Sequence, residues 1–471
     1  MPQMATTYSS GTFKEDDRAI AQIFSGYSIS AALWLLFATF VGIVLAYKFG
    51  APEFGSGAWL TFGRLRPIHT NATFYGWASI ALVGLAYYVA VRSCRTSIYS
   101  TRLAWLGLAL FNVAAVAGTV ALDLGYSAGD LEYREWPWPI RVIFLAALLV
   151  TAWNLVGTVA RRNTEDIYLS NWYTMGGVLW TCIIAVVAIL PWYQYGLGQV
   201  SVSGFYMHNA VGMWFTPLAL GTFYYALPRL LNRPIYSYAL GVFAFWTNLV
   251  FYPIIGSHHF LFSPLPWWLQ TTAIVFSVAM LVPVLGGSAN FLLTMRGRFG
   301  QMRESCTLAF IFVGVIGYLI GSTQGTFEAF RSLQAVWHLT NFTVGHSHLT
   351  MYGFVTFAIW GATYALLPIA TGKYPAQAGL ALHFWMALVG SFIYVVSLSI
   401  GGTIQGMDWV KQLPFIQSVV DMQPFYVWRG VGGLLMFLSH FVYGWNVWKM
   451  TYGSSAKPVP KVSTHIVEDV T

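Results

Sequence analysis

Charge is what this chain has least of. Only 8% of its 471 residues are Asp, Glu, Lys or Arg, where soluble domains carry about 25%, and the shortage excludes a water-soluble globule. Cysteine is almost as scarce. Cys94, Cys182 and Cys306 stand far apart with no CxxC and no CxxCH, which excludes a disulfide framework, a thiolate metal site and covalently attached haem c. The net charge of +8 comes from Lys and Arg scattered between apolar runs rather than gathered on a stripe, so no nucleic acid is expected as a partner. The weak alternation of a membrane β-barrel, an internal repeat and a second soluble domain are not found either. The polar first 25 residues carry Glu15, Asp16 and Asp17, unlike a cleaved signal peptide.

What is present in their place is apolar length. Hydrophobic residues make up 57% of the chain and aromatics 17%, and residues 167–228, 234–295, 332–372 and 374–407 contain no Asp, Glu, Lys or Arg. A spanning helix needs about 20 mostly apolar residues. The sequence therefore predicts an all-α polytopic membrane protein of twelve transmembrane helices, near 26–47, 68–91, 103–122, 142–160, 173–192, 205–228, 237–259, 267–293, 306–322, 341–368, 379–400 and 429–448. Residues 1–471 form one membrane domain, with a 25–450 core and cytoplasmic tails at 1–24 and 451–471. Most of the 24 Lys and Arg, including Arg92, Arg161, Arg229, Arg296 and Lys373, fall on the side of the two termini. The positive-inside rule places that side in the cytoplasm and turns the acidic loop GDLEYREWPWP (129–139) outward.

Ten His are present, and their placement carries the chemistry. With this topology His69 opens span 2, His208 opens span 6, His258 and His259 close span 7, and His346 and His348 open span 10. Six imidazoles from four helices thus share one depth in the outer third of the bilayer. A single such His reads as an interhelical hydrogen bond; six with an HH and an HxH pair read as ligands, because imidazole is the usual partner of haem iron and copper. His346 and His348 lie roughly 200° apart on a helix and face opposite sides. His208 with His258 and His259 suits a three-imidazole site with an open position. His338, His383, His440 and His465 have bland readings, His383 and His440 being alone in their spans.

These motifs resemble subunit I of the haem–copper oxidases, and specifically the cbb3-type cytochrome c oxidases, from about Arg64 to Tyr443. GRLRPIHTNA (63–72), MHNAVG (207–212), YPIIGSHH (252–259), VGHSH (344–348) and EYREWPWPI (132–140) carry the resemblance. It implies that His69 and His348 are axial ligands of a low-spin haem b, His346 the proximal ligand of a high-spin haem b, and His208, His258 and His259 the ligands of one copper. Tyr252 matches the active-site tyrosine, cross-linked in the family to the first copper His, and lies six residues before His258. Arg64 and Arg66 are placed to pair with haem propionates, and Glu132 and Glu135 to share a calcium ion; a solvated acidic loop is the alternative for the two Glu. The activity implied is reduction of oxygen to water in a bacterial inner membrane, with electrons from membrane-anchored c-type cytochrome subunits on the periplasmic side and with the proton translocation expected of the family.

No acidic residue or Lys lies mid-membrane, so a proton route must use hydroxyls, amides and water. Tyr238, Thr247, Asn248, Tyr318, Ser322 and Thr323 lie between the cytoplasmic face and Tyr252, ordinary helix packing being the other reading of each. The pattern departs from the family at Gln324, where a Glu is usual and which Glu328 does not align with, and at Ala244, where a His is common. Two competing functions remain at this stage. A nitric oxide reductase, with iron for copper, has a Glu one turn after the first metal His, where this chain has Gly212. A twelve-helix secondary transporter shows intramembrane charges and repeats.

Overall fold

The computed structural model describes residues 10–55, 57–128, 132–190 and 195–453; His465 and the tail lysines Lys457 and Lys461 lie outside the described residues. Among these, eleven helices are long and apolar enough to cross a membrane. Gly196–Leu231 joins them by length, its composition diluted by polar residues such as His208 and Asn209. The twelve are α1 (Ser10–Lys48), α2 (Phe62–Ser93), α3 (Thr101–Asp123), α4 (Trp138–Ala160), α5 (Leu169–Ile189), α6 (Gly196–Leu231), α7 (Tyr238–Phe260), α8 (Trp267–Met295), α9 (Cys306–Glu328), α10 (Asn341–Thr371), α11 (Gln377–Val410) and α12 (Phe415–Tyr452). The chain is a multi-pass helical membrane protein, as its sequence predicts.

The helix ends depart from expectation where polar residues continue a helix past the bilayer. Charge is costly in lipid but not in a helix. So α1 starts at Ser10 rather than near 26, within the expected 1–24 tail, and Asp17 accepts from Arg92 at 2.6 Å. Likewise α12 begins at Phe415 rather than 429, and α9 runs past 322 to Glu328. Hydroxyls cap four helix starts: Ser100, Ser237, Ser305 and Thr340 each accept from a backbone N–H in the first turn. Left-handed Asn232 (φ 49°) and Gly372 (φ 71°) end α6 and α10.

Two of the hairpins carry the same clasp. Asn154 of α4 accepts from the N–H of Ser100 at 2.9 Å and donates to its carbonyl at 3.0 Å. Asn290 of α8 does the same to Ser237, at 2.9 and 2.8 Å. One turn on, Thr158 and Thr294 accept from the N–H of Tyr99 and Tyr236. Both clasps read IYS before the helix and Asn-x-x-x-Thr near the end of its partner, too short a match to register as a repeat. They tie the ends of the α3–α4 and α7–α8 hairpins opposite the connecting loops. Of the eleven spans, α2 and α10 are the most thoroughly buried.

Candidate active site

Both of those central helices break from α-geometry just after a histidine. Ala72–Ala78 follows His69 by two residues and Leu349–Thr356 follows His348 directly, and both stretches are π-helical, a form found mostly as short bulges at functional sites. His69 and His348 face one another with ring centres 6.3 Å apart and planes 15° from parallel. Two imidazole–metal bonds of about 2 Å, plus roughly 1 Å from each nitrogen to its ring centre, account for such a spacing. The pair therefore fits two axial ligands of one haem. Gly42 of α1 makes the room, since a Cβ there would lie 2.7 Å from His69 Cε1.

The ring nitrogens are sorted by their partners. His69 Nδ1 lies 2.7 Å from the carbonyl of Ala38, and His348 Nδ1 2.8 Å from that of Val344. A carbonyl only accepts, so each Nδ1 carries the proton and each Nε2 presents a lone pair to a metal. His346 follows the same rule: its Nδ1 is 3.1 Å from Gln324 Oε1 and 3.3 Å from Glu328 Oε1. His258 Nδ1 is 2.7 Å from Ser277 Oγ, whose own proton goes to the Ala273 carbonyl at 2.7 Å. His208 is the exception. Its Nδ1 is buried with no hydrogen-bond partner, a costly state that a metal bond at that atom resolves.

His208, His258 and His259 offer ligand atoms all within 4.8 Å of one another, and form the one such group of His, Cys, Asp or Glu found among the described residues. They line a cavity of about 730 Å³, within the range of cofactor sites. His346 enters it from α10 and Glu328 from the end of α9, while Arg66, Glu132 and His338 stand on its border. His348, two residues after His346, leaves on the other side toward His69.

Tyr252 completes the group. It opens a 3₁₀ stretch, Tyr252–Phe260, so six residues bring it two turns from His258, and its ring lies 4.4 Å from that of His208. Its hydroxyl fills the space beside Gly212, one turn beyond His208 on α6. A Cβ at position 212 would lie 1.4 Å from that oxygen. A side chain at 212 and a tyrosine in this position exclude each other, which removes the room for the carboxylate that the nitric oxide reductase alternative requires.

The chain matches the sequence profile of the family described as cytochrome c and quinol oxidase polypeptide I over residues 22–435. It belongs to that family. The cbb3-type cytochrome c oxidase subunit CcoN1 of Stutzerimonas stutzeri is 30% identical over 451 residues, spanning 92% of this chain and 94% of that one. The cytochrome c oxidase subunit 1 homolog of Azorhizobium caulinodans is 28% identical, over 89% and 80%. A heme-copper terminal oxidase dimer solved by cryo-EM shares the fold, with a TM-score of 0.79 at 15% identity over 94% of this chain and 86% of that one.

Within this oxidase subunit I fold, other expected residues are redistributed. Arg64 donates to the carbonyl of Asp123 at 2.7 Å, clasping the end of α3, and Arg66 pairs with Glu132. Glu135 accepts from Asn71 at 3.0 Å, and burial pushes its carboxyl up from the ordinary range. The expected calcium pair thus engages two different partners. Of the proton-route candidates, Asn248, Tyr318 and Ser322 line the cavity with Tyr252. Tyr238 instead donates to the Ile167 carbonyl at 2.9 Å. Thr247 returns its hydroxyl to its own helix at Phe243, 2.8 Å away. Neither they nor Thr323 line the cavity.

Two residues escaped the sequence reading. Glu328 reaches the same nitrogen as Gln324; their four-residue spacing, one face of a helix, was the available signal. Arg429 is a buried cation of α12 whose guanidinium stacks on Phe49 at 4.2 Å and lies 5.7 Å from the ring of Tyr394. Tyr394 in turn packs 4.4 Å from His348.

Proposed function

We propose that this chain carries two haem b groups and one copper: a low-spin haem between His69 and His348, a high-spin haem on His346, and copper on His208, His258 and His259. It is the catalytic subunit of a respiratory terminal oxidase, a cytochrome c oxidase that reduces oxygen to water. The iron and copper, when bound, supply oxygen binding and electron storage. The residues do the rest. Ser277 holds His258 in the tautomer that frees Nε2, and Gln324 does so for His346.

Tyr252 is the proton donor at the floor of the cavity, on the cytoplasmic side of His208. Asn248, Tyr318 and Ser322 offer the amide and hydroxyls beside it over which a proton travels from the cytoplasm. The absence of CxxCH means that c-type haems belong to other subunits, so electrons arrive from membrane-anchored cytochrome partners on the periplasmic side of a bacterial inner membrane, with both termini in the cytoplasm. The observation that carries the reading is the Tyr252 hydroxyl seated beside Gly212 and next to His208. Tyr252→Phe tests it: haem and copper contents should stay at parental levels while oxygen reduction falls by about a hundredfold or more, as expected for a lost positioned proton donor. Parental turnover in that variant, or iron in place of copper on metal analysis, refutes the assignment.

A further inference from the structure

His383 and His440, isolated in sequence, meet in the structure. Both are fully buried, on α11 and α12, and both pack on the indole of Trp360, with ring centres 4.4 and 5.6 Å away. Each is hydrogen-bonded to a tyrosine of α10. His383 Nδ1 lies 2.8 Å from Tyr364 Oη, which also accepts from Asn446 at 3.0 Å. His440 Nε2 lies 3.0 Å from Tyr352 Oη, and its Nδ1 lies 3.0 Å from Thr39 Oγ1 of α1.

The second set of contacts ties His440 to both histidines of the bis-imidazole pair. Tyr352 sits one turn after His348, inside the π-helical stretch. Thr39 follows Ala38, the residue whose carbonyl fixes His69. His440 is therefore an imidazole bonded to the neighbour of His69's support and to a tyrosine one turn from His348, with a hydroxyl on each ring nitrogen. Hydroxyls donate or accept by rotation. Thr39 already lies 2.6 Å from the Leu35 carbonyl as a donor, which leaves its oxygen free to accept. The site thus satisfies a neutral ring and a doubly protonated one without moving a heavy atom. The groups facing it are Tyr352 and Trp360 from α10 and Thr39 from α1, with His383 of α11 across the indole and Tyr443 of α12 packed on both Trp360 and His383. Among the described residues no carboxylate or cationic side chain is hydrogen-bonded to it.

Toward the cytoplasm the file is interrupted once. Trp360 Nε1 and His383 Nε2 are buried without hydrogen-bond partners, on two rings in contact, and a buried water is what such groups ordinarily hold. Beyond them Tyr364 and Asn446 carry the polar line toward the cytoplasmic ends of α10 and α12.

We propose that His440 takes up one proton from the cytoplasmic side, by way of the Tyr364–His383 pair and a water at Trp360, when the haem held by His69 and His348 gains an electron. The balance is one electron to the iron and one proton to the ring, both returned on oxidation. A charge added to a buried centre favours an opposite charge nearby, and linkage makes that preference reciprocal. The inference rests on the bis-imidazole haem of the preceding section.

The test is a redox titration of the purified oxidase complex, followed by the low-spin absorption band at several pH values. In the parent, the oxidised-to-reduced ratio at fixed potential should rise by up to about tenfold per pH unit, the limit for one proton per electron. His440→Gln, which keeps a donor and an acceptor but cannot hold the extra proton, should show an unchanged band and a pH-independent ratio. His383→Gln should keep the parental equilibrium ratio and slow its approach after a pH jump. A parental slope in His440→Gln overturns the proposal. Should that variant fail to assemble, infrared difference spectra of parent complex with isotope-labelled histidine decide: imidazolium bands that appear on low-spin reduction support it, and their absence overturns it. A His348→Ala variant separates the two readings. If it retains the low-spin band, the haem assignment fails and this inference with it; if it loses the band while His440→Gln keeps the slope, the proton site alone fails.

Discussion

Replacing Gly212 by alanine adds one methyl group and should nearly abolish turnover. Its Cβ would lie 1.4 Å from the Tyr252 hydroxyl oxygen and 1.8 Å from Cζ, where non-bonded atoms need about 3.5 Å. Tyr252 or α6 must therefore move by about 2 Å. Overpacking of this kind costs about 1–3 kcal/mol, which a large helical membrane protein survives, so the complex should still assemble. Function is less forgiving, because misplacing a reacting group by about 1 Å costs on the order of a hundredfold. Oxygen uptake by purified Gly212→Ala should fall at least that far, with haem content at parental levels. Gly430→Ala, on α12, is the control: nothing lies within 4 Å of its added Cβ, and its uptake should match the parent. Phenylalanine at 252 would not rescue the methyl, since Cζ alone already collides with it. Parental turnover in Gly212→Ala would refute the placement of Tyr252 and the catalytic role built on it.

Ser277→Ala removes the acceptor for His258 Nδ1 and leaves it buried and unpaired; copper affinity should drop by about 10- to 100-fold, measured as copper per haem after dialysis against a chelator. The pyridine haemochrome assay should find two b haems per chain in the parent and loss of the low-spin band in His69→Ala or His348→Ala; one haem or none in the parent sinks the ligand assignment. Burial raises the Glu135 carboxyl above its ordinary 4.5, so the folded chain keeps its proton after the unfolded chain has lost it. That contribution is fully present below about pH 4.5 and is lost as pH rises through the folded value. Glu135→Gln, which cannot ionise, should gain thermal stability relative to the parent across that rise; a constant difference in melting temperature would contradict the burial argument.

The histidines were legible because imidazole is rare in a bilayer, and topology alone brought six of them to one depth. Tyr252 was legible by spacing and by resemblance. Their hydrogen-bond acceptors were not. Ala38 and Val344 act through backbone carbonyls, which every residue has, and Ser277 is one serine among many, so no residue type marks the role. Glu328 was passed over because alignment fixes a position in the chain whereas contact depends on helix face, and 324 and 328 share one. Thr247 failed as a relay for the opposite reason: a threonine in a helix readily bonds its own turn. Helix ends were misjudged wherever hydropathy, which reports the bilayer, stood in for the helix.

The duplicated Asn–Ser clasp has a mechanical consequence. It ties each hairpin at the end opposite its connecting loop, so the α7–α8 pair is fastened twice: by Ser237 and Asn290 at one end, and at the other by the 261–266 connection, which Gln270 braces through Phe262 and Leu265. Two rods fastened at both ends cannot splay, so the separation of His258 on α7 and Ser277 on α8 is set by the whole frame and not by their hydrogen bond alone.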